Sequence, residues 1–138
     1  MSTDIVVPDL ARNLAVLVRE AMAELRPRLV EAALSGQHDE SLNLRHEDNF
    51  LSVYDLWMHK RYKELIGKYI PSFIYASEEA DPEVIGDRPD PDLVILVDQL
   101  DTSELAVRGL CGYTHILAYS RSLARPIAAI VGDIFHHI

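Results

Sequence analysis

Apolar residues recur at helical spacing in the first quarter of the chain. Over residues 8–36 one side of the predicted helix is apolar, while arginine and glutamate lie on its other sides. A repeat of this kind is typical of an amphipathic helix packed on a core. Proline lacks a backbone N–H, so Pro27 should kink or divide this helix, and Gly36 should end it. The predicted core stripe is Leu10, Leu14, Leu17, Ala21, Leu25 and Leu29.

A second helix is predicted over residues 55–68, where the spacing of apolar residues is again helical. Asp55 suits its first turn, because a negative charge there interacts favourably with the helix dipole. Pro71 should end the helix region. The polar residues 37–48 between the two helices predict a loop or an irregular strand pair.

The rest of the chain contains the shorter apolar runs that are typical of strands. Residues 93–97 are apolar at every position, as expected for a central strand that is covered on both faces. Three prolines and several acids over residues 80–91 predict a surface loop, and residues 104–108 predict a short helix. The chain therefore predicts one α+β domain over residues 1–138. Its strands are predicted at 73–76, 93–97, 113–120 and 126–135, the last two forming a hairpin through a turn at 121–125.

Composition narrows the class of protein. The 138 residues are 49% hydrophobic and 25% charged, which is ordinary for a folded domain. A net charge of -9 argues against nucleic acid as a partner, because such proteins neutralise phosphates with Lys and Arg. No apolar run reaches the ~20 residues of a membrane span, so no membrane role is expected. The sequence shows no signal-peptide pattern and has a single cysteine, Cys111, which together predict a cytoplasmic protein.

Carboxylates follow two of the predicted strands. Asp98 and Asp101 come directly after the strand at 93–97, and Glu79 follows the strand at 73–76. If these strands are neighbours, the three carboxylates converge and offer the oxygen ligands that Mg²⁺ prefers. The plainer alternative is that these residues form only turns and a helix cap. The six histidines lack ligand spacing, so a histidine metal site is not expected.

The order of these motifs resembles the N-terminal half of the inositol monophosphatase-like family of magnesium-dependent phosphatases. The family's Gly-Glu-Glu and Asp-Pro-(Ile/Leu)-Asp-Gly-(Thr/Ser) signatures are matched by Ser-Glu-Glu at 77–79 and Asp-Gln-Leu-Asp-Thr-Ser at 98–103. A third motif, Asp-x-Val-Thr-x-x-Asp, is similar to residues 49–55, where its hydroxyl and the final Asp55 are retained. The resemblance implies a layered α-β sugar-phosphatase-like fold, with two helices packed on a largely antiparallel sheet and without the family's C-terminal α/β half.

The resemblance also implies an activity, namely Mg²⁺-dependent hydrolysis of a small polyol, sugar or nucleotide phosphate, with Mn²⁺ able to substitute. Glu79, Asp98 and the carbonyl of Leu100 would hold a first ion, and Asp98 with Asp101 a second. Glu79 and Ser103 would orient the attacking water, and Asp55 would reach a metal through water. The backbone N–H groups of Thr102 and Ser103 would bind the substrate phosphate.

Two departures from the family leave a second function open. Thr102 replaces a glycine whose missing side chain lets the backbone approach phosphate closely. The expected absence of the second half would also uncover the strand edge at residues 128–135, which favours a homodimer or a partner covering that edge. The alternative function is a catalytically silent, phosphatase-like binding or assembly module.

Overall fold

The computed structural model describes residues 7–35, 53–77, 80–101 and 112–135. These residues form two helices and five strands. The elements are α1 (Val7–Ser35), α2 (Val53–Tyr69), β1 (Phe73–Ser77), β2 (Ala80–Ile85), β3 (Leu93–Asp101), β4 (Tyr113–Ser120) and β5 (Arg125–Asp133). The predicted loop at 37–48 and the predicted helix at 104–108 lie outside the described residues.

The five strands form one mixed sheet in the order β2-β1-β3-β4-β5. β1 and β3 are parallel, and the other three neighbouring pairs in the described sheet are antiparallel. Both helices pack on the sheet, α1 near β5 and α2 near β3. The predicted α+β class is confirmed, as is the central position of β3.

The apolar stripe of α1 is buried along its whole predicted length. It forms a core with α2 and with one face of the sheet. The predicted division at Pro27 is wrong, because α1 continues through that residue. Pro27 and Ala23, whose carbonyl loses its helical donor, are both exposed, so water can satisfy that carbonyl.

Arg61 joins the two helices on their outer side. Its Nε and Nη2 atoms donate hydrogen bonds of 2.8 Å to the two carboxylate oxygens of Glu24, and Nη2 also lies 3.2 Å from Glu20 Oε2. The fork of the guanidinium matches a carboxylate in this arrangement. The pair adds a polar contact between α1 and α2 to their packing in the core.

Two predictions about strands are corrected. The first half of the predicted loop at 80–91 is strand β2, whose residues are largely exposed and include Pro82. Proline is tolerated because β2 is an edge strand. β3 was expected to be covered on both faces, but Leu96 is 41% exposed, since both described helices pack on the other face. We call the face that contains Leu96 the open face.

Candidate functional site

The carboxyl ends of β1 and β3 lie side by side. The two strands are parallel, with Ser77 opposite Val97 in the register. Glu78 and Glu79 follow Ser77 directly in the sequence, and Asp98 follows Val97. The strands are thus neighbours, which is the condition under which the sequence predicted convergence of the acidic residues. We call the neighbouring ends of β1 and β3, Ser77 and residues 98–101, the acidic edge, after the acidic residues that lie in or directly follow them in the sequence; Glu78 and Glu79 themselves are outside the described residues.

A β-bulge shapes the end of β3. Asp98 is opposite His115 and Asp101 is opposite Tyr113, so three steps along β3 match two steps along β4. One extra residue in a strand bends it and redirects the residues that follow, and bulges are frequent beside active sites. Leu100, inside the bulge, is buried at 3% exposure. The sequence suggested a turn here, but Asp98 and Asp101 both belong to β3.

Asp55 lies towards the same end of the sheet. The short connection between α2 and β1 makes the two run in opposite directions, so the start of α2 is near the end of β1. His59 confirms this direction, because its Nδ1 atom is 2.9 Å from Ser77 Oγ. Asp55 precedes His59 by about one helical turn, or roughly 6 Å along the axis. Its side chain is buried, with 4% exposed.

His59 is a feature of this end that the sequence prediction missed. Its ring lies against Tyr75, with the ring centres 5.0 Å apart, and the Tyr75 hydroxyl donates a 2.7 Å hydrogen bond to the His59 carbonyl. Burial lowers the pKa of His59, the charge of Lys63 lowers it further, and Glu83 opposes both. A neutral ring is therefore favoured near pH 7. Its spacing of four residues from Asp55 was the available signal.

A shallow cavity of about 410 Å³ opens on the open face beside Asp98. Its lining is mainly apolar, and it includes Leu96 together with the opposed pair Asp98 and His115. The Nε2 atom of His115 is buried. Val131, at the far side of the cavity, is 64% exposed. The cavity gives the acidic edge an adjoining apolar surface.

The predicted metal and substrate residues are only partly covered by the structure. Glu79, Thr102 and Ser103 lie outside the described residues, as does the side chain of Asp101. Among the described side chains, no three His, Cys, Asp or Glu residues form a group that could hold a metal ion. The chemistry of the donors nevertheless fits Mg²⁺, because the carboxylate of Asp98 and the carbonyl of Leu100 offer oxygen atoms, which Mg²⁺ prefers, on a bulged strand end.

Comparisons with known proteins add no family to these observations. No family model matches the chain, and no curated protein matches it. Within the described residues, neither helix combines the length and apolarity needed to cross a bilayer.

Proposed function

We propose that this protein is a cytoplasmic, magnesium-dependent phosphomonoesterase of the inositol monophosphatase-like kind, acting on a small polyol, sugar or nucleotide phosphate. The parallel pairing of β1 and β3 carries the proposal. It brings β1, the strand that precedes Glu79 in the sequence, next to β3, the strand that contains Asp98 and Asp101. A single cysteine, Cys111, suits a reducing compartment.

The proposed ligand sets follow from this arrangement. Glu79, Asp98 and the Leu100 carbonyl hold one Mg²⁺, and Asp98 with Asp101 holds another, with Mn²⁺ as a substitute. When bound, the ions make water a stronger nucleophile near neutral pH and offset the charge of the phosphate. The bulge between Asp98 and Asp101 supports this assignment, because it gives one strand end two carboxylates separated by a redirected backbone.

The other proposed roles belong to residues of the chain itself. Glu79 and Ser103 orient the attacking water, and the buried Asp55 reaches a metal through water as an outer carboxylate. The backbone N–H groups of Thr102 and Ser103 donate to the substrate phosphate.

Calorimetric titration of Mg²⁺ and Mn²⁺ tests the proposal. We expect saturable binding to the natural protein and its loss in Asp98→Asn, which keeps the side-chain shape and removes the charge. Asp87→Asn is the matched control, because Asp87 is exposed and precedes β3, at the opposite end from the acidic edge. Equal binding by all three proteins would overturn the metal site. Hydrolysis of a panel of phosphate esters should likewise be lost in Asp98→Asn and retained in Asp87→Asn.

One observation favours the assembly module as a second candidate function. In the described sheet β5 is an edge strand, and residues 127–132 within it carry no charge. The other edge strand, β2, contains Asp81, Pro82 and Glu83, which are the residue types that block edge-to-edge pairing. Antiparallel pairing of β5 with β5 of a second copy would continue the sheet, so we propose a homodimer through this edge.

Sedimentation of two lysine variants tests this dimer. Ala129→Lys places a charge on exposed β5 and should shift the protein towards the monomer. Val84→Lys places the same charge on β2, where Val84 is 48% exposed, and should leave the mass unchanged. A monomeric natural protein, or a dimer that is insensitive to Ala129→Lys, would contradict this interface. Dimerisation without metal binding would favour the silent module over the phosphatase.

A further inference from the structure

We propose that the cavity on the open face holds the alcohol part of the substrate, and that it selects a phosphate ester whose alcohol carries a flat, weakly polar ring. Esters of polyols and sugars are disfavoured. The inference rests on the proposed function and narrows its substrate class. The apolar side chains that carry it belong to Leu96, Leu117, Ala129 and Val131.

The cavity has the size and the surface of a small-molecule site. Its volume of about 410 Å³ lies within the range of ordinary ligand pockets. Leu96 and Val131 keep much of their aliphatic surface exposed there. Covering such surface with an apolar ligand is favourable, because it releases the water in contact with it.

The strand geometry places this apolar surface close to Asp98. Leu96 and Asp98 are two residues apart on β3 and both line the cavity, so they lie roughly 7 Å apart on one face of the sheet. His115 is opposite Asp98, and Val131 is opposite His115, so the cavity extends over two strand spacings, or roughly 10 Å, across the sheet. A bicyclic ring that lies between Leu96 and Val131 therefore brings its ester oxygen to the side of Asp98.

The lining favours a ring over a polyhydroxylated group. Among the described lining residues, the polar side chains are Ser77, Asp98 and His115, which lie at the end of the sheet that carries the acidic edge. The other described lining residues are aliphatic. A hydroxyl that loses water against aliphatic side chains has no hydrogen-bond partner there, which costs free energy. A ring without hydroxyls avoids this cost.

Naphthol, the phosphate-free alcohol of naphthyl phosphate, tests the cavity without metal. We expect naphthol to shift the methyl NMR signals of Leu96 and Val131 and to leave those of Val84 unchanged. Val84 is the matched control, because it is an exposed valine on the open face, opposite Ile74, and is not among the described lining residues. Leu96→Ala and Val131→Ala should each weaken naphthol binding by about 5-fold, the size expected for two or three carbons lost from a partly open surface. Val84→Ala should bind naphthol as the natural protein does.

Turnover with Mg²⁺ tests the same surface with substrates. Naphthyl phosphate and adenosine monophosphate should both have a lower KM than glycerol phosphate, and the lower of the two values identifies the preferred ring as an aryl group or a nucleobase. Val131→Ala should raise KM for both ring esters by about 5-fold and leave KM for glycerol phosphate unchanged. Thermal unfolding of each variant reports changes in the fold.

Two results would overturn this inference while leaving the metal site intact. One is a lower KM for glycerol phosphate than for the ring esters. The other is Mg²⁺ binding by a natural protein in which naphthol leaves the signals of Leu96 and Val131 unchanged. Absence of Mg²⁺ binding by the natural protein would overturn both the proposed function and the role of the cavity in it.

Discussion

The hydroxyl oxygens of Tyr62 and Thr114 lie 2.6 Å apart inside the core. Both side chains are fully buried, one on α2 and the other on β4. Burial raises the pKa of Tyr62, so the phenol is protonated at neutral pH. The contact is a neutral hydrogen bond that links the helix layer to the sheet.

Removal of both partners of this bond should cost less than the sum of the two single removals. Tyr62→Phe leaves the buried Thr114 hydroxyl without its hydrogen bond, and we expect a loss of about 1–3 kcal/mol in the free energy of unfolding. Thr114→Val should cost a similar amount. The double variant should be clearly less destabilised than the sum of the two, because no polar atom remains unsatisfied. Urea unfolding of the four proteins measures this, and strictly additive losses would contradict it.

The pair formed by Arg61 and Glu24 should make stability depend on pH in the acid range. Hydrogen bonds from Arg61 hold the pKa of Glu24 below its ordinary value of 4.5. A carboxylate with a lowered pKa in the folded protein stabilises it above the unfolded pKa. That contribution is then lost as the pH falls through the lower, folded value.

The matching experiment compares the natural protein with Glu24→Gln between pH 7 and pH 3. The natural protein should be the more stable one near neutrality, and its advantage should shrink below about pH 4.5. In an Arg61→Met background Glu24→Gln should have little effect at any pH, because the partner is gone. A constant difference across the range would mean that Glu24 acts only through packing.

His59 should titrate below 6.5, the ordinary pKa of histidine, for the reasons of burial and charge given above. Lys63→Gln should raise its NMR titration midpoint, and Glu83→Gln should lower it, because these two side chains act in opposite directions on the imidazolium. As the pH falls below 6.5 the unfolded chain takes up this proton first, so the free energy of unfolding decreases there. His59→Asn should lack that slope. A midpoint above 6.5 would contradict the burial argument.

The sequence predicted those helices and strands whose pattern of apolar residues reflects their position in the fold. The core stripe of α1 is one example, because burial repeats every 3.6 residues along that helix. The central position of β3 is another, because its continuous apolar run lies in the middle strand of the sheet. β2 was missed because its residues are largely exposed and show no alternation of apolar and polar positions. It is a strand because it pairs with β1, and that pairing leaves no signal in the sequence of β2 itself.

The acidic edge was predicted in part. The sequence placed carboxylates after two apolar runs, but only the fold makes those runs parallel neighbours. The bulge at residues 98–101 was read as a turn, because the apolar run stops at Val97 while pairing with β4 continues. His59 was set aside for lack of ligand spacing. Its partner is a serine 18 residues away, and no local pattern indicates such a contact.

Two glycines should respond in opposite ways to alanine. A Cβ atom on Gly132 of β5 would lie 2.7 Å from Met22 Sδ and 3.0 Å from Val18 Cγ1, both on α1. We expect Gly132→Ala to lower the free energy of unfolding by about 1–3 kcal/mol through overpacking. Gly67, in α2, has no atom within 4 Å of such a Cβ, and Gly67→Ala should stabilise the protein by about 0.5–1 kcal/mol. Chemical denaturation measures both. A neutral Gly132→Ala would mean that α1 can move away from β5.

Substitutions at Thr102 distinguish a phosphatase from a silent relative. By the proposed function, the backbone at this position donates to the substrate phosphate, and the β-branched side chain hinders the approach. We expect kcat/KM for a phosphate ester to rise from Thr102 to Thr102→Ala and again to Thr102→Gly, by about 10-fold in total, the size expected for one recovered hydrogen bond to a charged group. Ser103→Ala is the counterpart, because it removes the hydroxyl that is proposed to orient water, and it should lower kcat/KM. Mg²⁺ affinity should change little in the Thr102 series. Metal binding without turnover in all of these variants would instead identify the chain as a binding module.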